Sequence, residues 1–570
     1  MRFFTNLSRL TLAMVVLPVS VVFAQSITID PEGYQQIYEG AGVSFGLYLG
    51  HHFSMNGANQ DKAVRLINEQ LNMRYLQDYP DKYPVDSNKV YFDRRANYVK
   101  AAKVYQPDVK VSLVGNKFPA NLLRKFRAPN GITYEILNTD DPEIYQKLAL
   151  WYFDLLKAFY ERGVEVDILN VVNEPDLSNC GNNVCRRYHY GQNGDTKRAV
   201  ALIFTRTIPA FKQMLNDPAV NTLGMKVPLI MGPSTISPNG CLEYIRYFKN
   251  NYPAAWQQID IVATHQYING SREDLFVQIQ AELEDKPFHQ SETHASPNAN
   301  QADNLGNLPV GRELRTALSL VNLFSTAVNH GVNAWYYFEN NYPDDFHAGG
   351  LIQVAWADNN PEPYKQYYTY QQLTSAQPSH SNVLRYTTRN LDNSKPIVFR
   401  KQGEDTVYLH LPNYGAEEQG VSIQLENTKG ERVFLGQIDV SVTDATYNNQ
   451  NAPNAEYDVF AYRLVYRMPP HSLSTLKIAM GEVTTSVKED RFDQELLLSR
   501  EAGDWVVSSR HRVPIHAVSL YNPVGQTLPA QITPEGSRWR ITLPPAVQGP
   551  VIWRVATSDN LFTKRILHTQ

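Results

Sequence analysis

Between residues 43 and 338 the chain alternates short apolar runs with longer amphipathic segments. The runs are Val43–Phe45, Asn72–Leu76, Val109–Val114, Asp167–Glu174, Val227–Gly232, Ile259–Tyr267 and Gly331–Phe338, with the short segment Lys286–Thr293 between the last two. Between them, Ala63–Leu71, Arg94–Tyr105, Pro142–Arg162, Thr196–Leu215, Leu242–Tyr252, Glu273–Glu284 and Glu313–His330 carry apolar residues at helical spacing. A strand covered on both faces reads as an unbroken apolar run, and a helix returns the chain to the next parallel strand. Eight such repeats over roughly 330 residues predict an α/β chain built on a (β/α)8 TIM barrel.

The rest of the chain has no helical period. Val383–Thr387, Pro396–Arg400, Thr406–Leu411, Val421–Leu425 and Leu473–Ile478 alternate like strands between turn residues, which predicts a β-sandwich over 381–481. The alternating stretch Ser26–Asp30 opens the segment 25–380 and is expected to join that sandwich. A polar stretch, Gly481–Asp493, separates a last small β module over 490–570. With 570 residues, several domains are expected.

Residues 1–24 read as a signal peptide. Arg2 and Arg9 precede the apolar run Leu10–Val22, and Val22-Phe23-Ala24 supplies small residues for cleavage. No later run reaches the length of a membrane span. The expected location is outside the cell or on its surface. Export makes a Cys180–Cys185 disulfide feasible and leaves Cys241 as a buried thiol. The net charge of −4 gives no electrostatic case for nucleic acid. No cofactor is implied, and no metal: Cys180 and Cys185 lack a second ligand pair, and His51, His52, His289 and His294 lack metal-site spacing. The 34 Tyr, 23 Phe and 7 Trp suit a carbohydrate binder and a β-rich fold equally well.

Two strands end on Glu. Asp167–Val172 stops on Asn173-Glu174-Pro175, where proline cannot donate to a sheet ladder. Lys286–Ser291 leads to Glu292, 118 residues further on. In a parallel barrel such strand tips carry the chemistry. Two carboxyl groups about 5–5.5 Å apart are the equipment of a retaining glycosidase, one as acid/base and one as nucleophile.

Asn173-Glu174-Pro175 on the fourth strand and Glu292 on the seventh resemble the clan of retaining (β/α)8 glycoside hydrolases. Within it the chain is most similar to glycoside hydrolase family 30, through Tyr38–Gly42, Ala263–Tyr267, Trp335–Tyr337, Tyr364–Tyr368 and Met468–Leu476. Gly40-Ala41-Gly42 departs from the Gly-Phe-Gly common there and leaves a neighbouring family open. The resemblance implies Glu174 as acid/base and Glu292 as nucleophile, hydrogen-bonded by Tyr267, with Asn173 on the sugar 2-hydroxyl. Arg74 is the candidate cation that keeps Glu292 ionised, or else a salt bridge at the core edge. His265 faces a sugar hydroxyl or the acid/base, or is structural. Trp335 is the expected stacking platform, with Tyr337, Phe45, Tyr48 and Trp356 as weaker candidates. The last module resembles the sorting domain of type IX secretion in Bacteroidetes, through Val518–Gln526, Gln548–Val555 and Lys564–Ile566, which would make the secretion machinery a partner. A small carbohydrate-binding sandwich is the alternative. The expectation is an exported retaining β-glycosidase, endo-acting on a polysaccharide or oligosaccharide. An exo-acting enzyme and a non-catalytic surface glycan binder stay open.

Overall fold

The computed structural model describes residues 25–568 apart from 81–88, 116–117, 128–132, 178–195, 269, 296–304, 306–307, 344–348, 355–359, 431, 434, 452–456, 461–462, 481–495, 502–503, 511–513, 522–526, 546, 548 and 558–560. Cys180, Cys185, Trp356 and the predicted signal peptide lie outside the described residues, as does part of the sorting-domain resemblance.

Eight strands close into a barrel. In order they are Gly40–Ser44, Tyr75–Asp78, Lys110–Val114, Ile168–Asn170, Leu229–Thr235, Ile261–His265, Phe288–Thr293 and Ala334–Tyr337. Every neighbouring pair is parallel, and the eighth strand pairs with the first. Helices return the chain along the outside, among them Lys89–Tyr105, Ile144–Tyr160, Pro238–Asn251 and Arg312–Asn329. All eight strands predicted from the alternation are present and in order. An inserted hairpin, Leu123–Arg127 with Thr133–Leu137, follows the third strand and was not foreseen.

The barrel has two apolar compartments. Tyr75, Ile168, Met231, Ile261, Ala263, Ala334 and Tyr336 fill the interior. A larger shell lies between strands and helices and includes Trp335, Tyr337, Phe324 and Tyr370. Successive residues of a strand face opposite sides. On the eighth strand, Ala334 and Tyr336 therefore face in, while Trp335 and Tyr337 face the helices.

A nine-stranded sheet follows the barrel. Its first member in the chain, Gln25–Tyr38, lies between Ser381–Arg389, which it pairs antiparallel, and Gln419–Leu425, which it pairs parallel. The early strand does join the later sheet, and one of its two pairings is parallel. Ile27, Val398, Val421, Val440 and Leu464, drawn from across the strand order, share one core, so the sheet curls over itself. Helix Lys365–Ser375 docks the sheet on the barrel: Gln372 Nε2 donates to the carbonyls of Ser441 at 3.1 Å and Leu473 at 3.3 Å. Further on, a four-stranded sheet (Leu496–Glu501, Asp504–Ser509, Gln531–Glu535, Arg538–Thr542) and a three-stranded one (Ile515–Tyr521, Gly549–Thr557, Leu561–His568) share a small core with Val507, Leu520 and Trp553. Among the described residues no helix is long and apolar enough to cross a membrane.

Candidate active site

The fourth strand ends at Asn170, and Val171-Val172-Asn173 carries the backbone to Glu174. Glu174 has φ of +46°, a left-handed conformation that costs a side-chain-bearing residue of order 1–2 kcal/mol. Its N–H donates to the Ser234 carbonyl of the fifth strand at 2.8 Å, and Ser234 is itself left-handed at +49°. These two turned residues aim the Glu174 carboxylate across the C-terminal mouth of the barrel.

Opposite stands Glu292, buried near the end of the seventh strand. One carboxylate oxygen of Glu174, one of Glu292 and one ring nitrogen of His265 all lie within 4.8 Å of one another. His265 ends the sixth strand and pairs in register with Glu292. Its Nδ1 is 3.1 Å from Glu174 Oε1, and its Nε2 is 3.9 Å from Glu292 Oε2. Such a trio can also seat a cation. Here the nearest hydrogen bonds already join its members to each other and to two phenols.

Tyr267 donates to Glu292 Oε1 at 2.9 Å, the contact that the family resemblance implied. Tyr79 donates a short hydrogen bond to Glu292 Oε2. Burial, reinforced by the Glu292 charge, holds both phenols well above their ordinary pKa, so they remain protonated donors. Burial alone would lower the His265 pKa, but the charges of Glu292 and Glu174 outweigh it and raise the value. Burial pushes the Glu292 carboxyl above the usual range and Glu174 adds to this, while His265 and the two phenols work against it. Asp176 stands behind this group. It accepts from the Ile236 N–H at 2.8 Å, and burial pushes it up to about 6.

Glu174, Glu292, His265 and Tyr267 come together, with Asn173 half-buried beside Glu174. Arg74 does not. It precedes the second strand and its side chain packs against Gly40, at the opposite mouth of the barrel. The five steps from Arg74 to Tyr79 span about 16 Å of strand. Trp335 is no platform either. It is fully buried among Phe324, Tyr337 and Tyr370, and its Nε1 donates to Gln266 Oε1 at 2.7 Å. Tyr337 is buried in the same shell. Phe45 is buried against Tyr98, and Tyr48 packs on Tyr342. At the tip of the eighth strand the half-buried aromatic is Phe338, edge-on to Tyr79 at 5.9 Å. Cys241 is a buried free thiol, as expected.

Tyr79, Phe338 and Asp176 were not foreseen. Tyr79 carried a readable signal, because Pro80 follows the second-strand run as Pro175 follows the run that leads to Glu174. Phe338 sits one residue beyond a run of three aromatics whose facing a period of two could not settle.

The sequence matches no protein-family model, and no curated protein matches it. Solved structures do share its fold. A GH30 endoxylanase from Clostridium papyrosolvens C71 superposes with a TM-score of 0.57 at 15% identity, over 80% of this chain and 100% of that one. The catalytic domain of GH30 xylanase C from Talaromyces cellulolyticus gives 0.59 at 11% identity, over 80% and 100%. An endo-beta1,6-glucanase gives 0.55 at 15%, over 80% and 94%. These likenesses cover the barrel fold shared by all four chains.

Proposed function

We propose that the protein is a retaining β-glycoside hydrolase acting on a β-linked polysaccharide. The observation that carries this reading is the Glu174–Glu292 pair, with carboxylate oxygens within 4.8 Å of each other at the C-terminal mouth of a parallel barrel. Retaining enzymes hold their carboxyl groups about 5–5.5 Å apart, whereas inverting enzymes leave roughly 6.5–9.5 Å for a water. The fold neighbours add support, since those described are two xylanases and an endo-beta1,6-glucanase.

In this reading Glu292 attacks the anomeric carbon as the glycosidic C–O bond breaks. Glu174 gives its proton to the departing oxygen. Water then attacks the glycosyl–Glu292 ester, Glu174 takes the water's proton, and Glu292 leaves as carboxylate. Two inversions return the starting configuration. Tyr267 and Tyr79 are donors that stabilise Glu292 as a leaving carboxylate. Asn173 takes the sugar 2-hydroxyl, as the resemblance implies. Export by residues 1–24 and sorting by the last β module complete the proposal and give the enzyme access to polymers outside the cell.

The test is release of reducing ends from a panel of β-linked polysaccharides by wild type, Glu174→Gln and Glu292→Gln. One polymer should be cut, each substitution should lower turnover by orders of magnitude, and NMR should show the first product with the bond's original anomeric configuration. Undiminished cutting by Glu292→Gln would move the site elsewhere. An inverted first product would overturn the double displacement.

A further inference from the structure

Arg74, the cation expected to hold the nucleophile, lies at the other end of the barrel. Among the described residues, His265 faces Glu292 Oε2 from the sixth strand at 3.9 Å, and uncharged side chains stand beside it on the side of the second strand. Gln77, on the second strand, is buried and points across the interior. Its Nε2 donates to the Ser291 carbonyl at 2.7 Å and to the Tyr79 hydroxyl at 2.7 Å. A carbonyl only accepts, so the Ser291 contact fixes which end of the amide is nitrogen. That nitrogen then gives its second proton to the Tyr79 oxygen. A phenol has one proton, and with its oxygen accepting from Gln77 that proton is committed to Glu292 Oε2. Ser291 is the residue before Glu292, so Gln77 grips the backbone of the seventh strand and the donor to its carboxylate at once.

We propose that Gln77 and Tyr79 form an uncharged hydrogen-bonded strut that positions Glu292 for attack, the part that had been expected of Arg74. The inference rests on the glycosidase reading for its rate consequence and on geometry alone for its hydrogen bond. Both residues act through Glu292 and are positioning residues. Among the described residues, Glu292 is faced by Tyr79 from the second strand, Glu174 from the fourth, and His265 and Tyr267 from the sixth. Asp176 lies behind His265. Tyr267 binds the other carboxylate oxygen and cannot replace the strut. A donor to the ionised form favours it, so removing the donor moves the carboxyl's titration to higher pH.

The test uses Tyr79→Phe, which keeps the ring, and Gln77→Met, which keeps much of the volume. Hydrogen bonds to charged groups contribute enough that Tyr79→Phe should lower kcat about 10- to 100-fold with little change in KM. The acid limb of its kcat/KM profile should move up by about one pH unit. Gln77→Met should shift both in the same direction by less. A merely structural role would lower the melting temperature and leave the acid limb in place, and that outcome overturns the proposal. The Glu292 carboxylate is also titrated by infrared difference against Glu292→Gln, in wild type and in Tyr79→Phe. If wild type cuts no polymer, the glycosidase reading fails while this titration still decides the strut: an unmoved midpoint overturns it and a raised one supports it.

Discussion

Trp335 and Tyr79 exchange the parts that chemistry by residue type would assign them. The indole is sealed in the shell, and the phenol sits at the carboxylates. Trp335→Phe should therefore cost stability while leaving substrate binding alone. It removes the donor to Gln266 Oε1, whose amide stays fixed because Nε2 donates to the carbonyls of Gly270 and Leu323. An acceptor left without its donor in a buried site costs about 1–3 kcal/mol, and the smaller ring adds a cavity. Chemical unfolding should show that loss, with KM within about twofold of wild type. A large rise in KM with unchanged stability would restore Trp335 as a platform. Glu174 was legible because a proline follows the apolar run that carries it, and Glu292 because it stands near the end of another short strand-like segment. Tyr267 and His265 were legible through the family resemblance, but Tyr79 was not, because Arg74 and Tyr79 flank one short strand, Tyr75–Asp78, and differ only in which end they occupy.

At the scale of the strand, the barrel was readable because most strands buried on both faces are largely apolar while their helices keep a separate period; the seventh, Phe288–Thr293, is buried but polar. Facing within a strand was less so. Trp335-Tyr336-Tyr337 offers an aromatic to both sides, and only the finished barrel shows that Tyr336 fills the interior. That ring also explains a glycine of the first strand. A Cβ on Gly42 would lie 2.5 Å from Tyr336 Cδ1, and the Gly42 carbonyl accepts from Tyr370 at 2.8 Å from the opposite side. Backbone and ring are thus held from both faces. Gly42→Ala should overpack the interior and cost about 1–3 kcal/mol in urea unfolding. Wild-type stability in that variant would mean that Tyr336 has room to move.

For the whole molecule, the barrel and the curled sheet should respond differently to acid. His410 is buried in the sheet, where Nδ1 meets Thr475 Oγ1 at 2.9 Å and Nε2 meets Gln377 Oε1 at 3.0 Å, and burial lowers its pKa to about 3. Folded His410 stays neutral while its unfolded counterpart takes up a proton below about 6.5. The unfolded state then binds more protons, so stability is complete above that pH and falls as the pH drops toward 3. By pH 5 the sheet should lose about 2 kcal/mol. The barrel has buried histidines of the same kind, His52 and His289, each lowered to about 4 by burial. It also holds carboxyl groups shifted the other way by burial, Asp176 to about 6 and Glu292 and Glu339 above the usual range. Those keep protons in the folded state that the unfolded chain releases, and they offset the histidines. Hydrogen exchange at pH 7 and pH 5, corrected for intrinsic rates, should show protection falling roughly 30-fold in the sheet strands Thr406–Asn413 and Ser472–Met480 and far less in the barrel strands. His410→Gln should abolish the difference. If the variant's sheet still loosens in acid, His410 is not the group responsible.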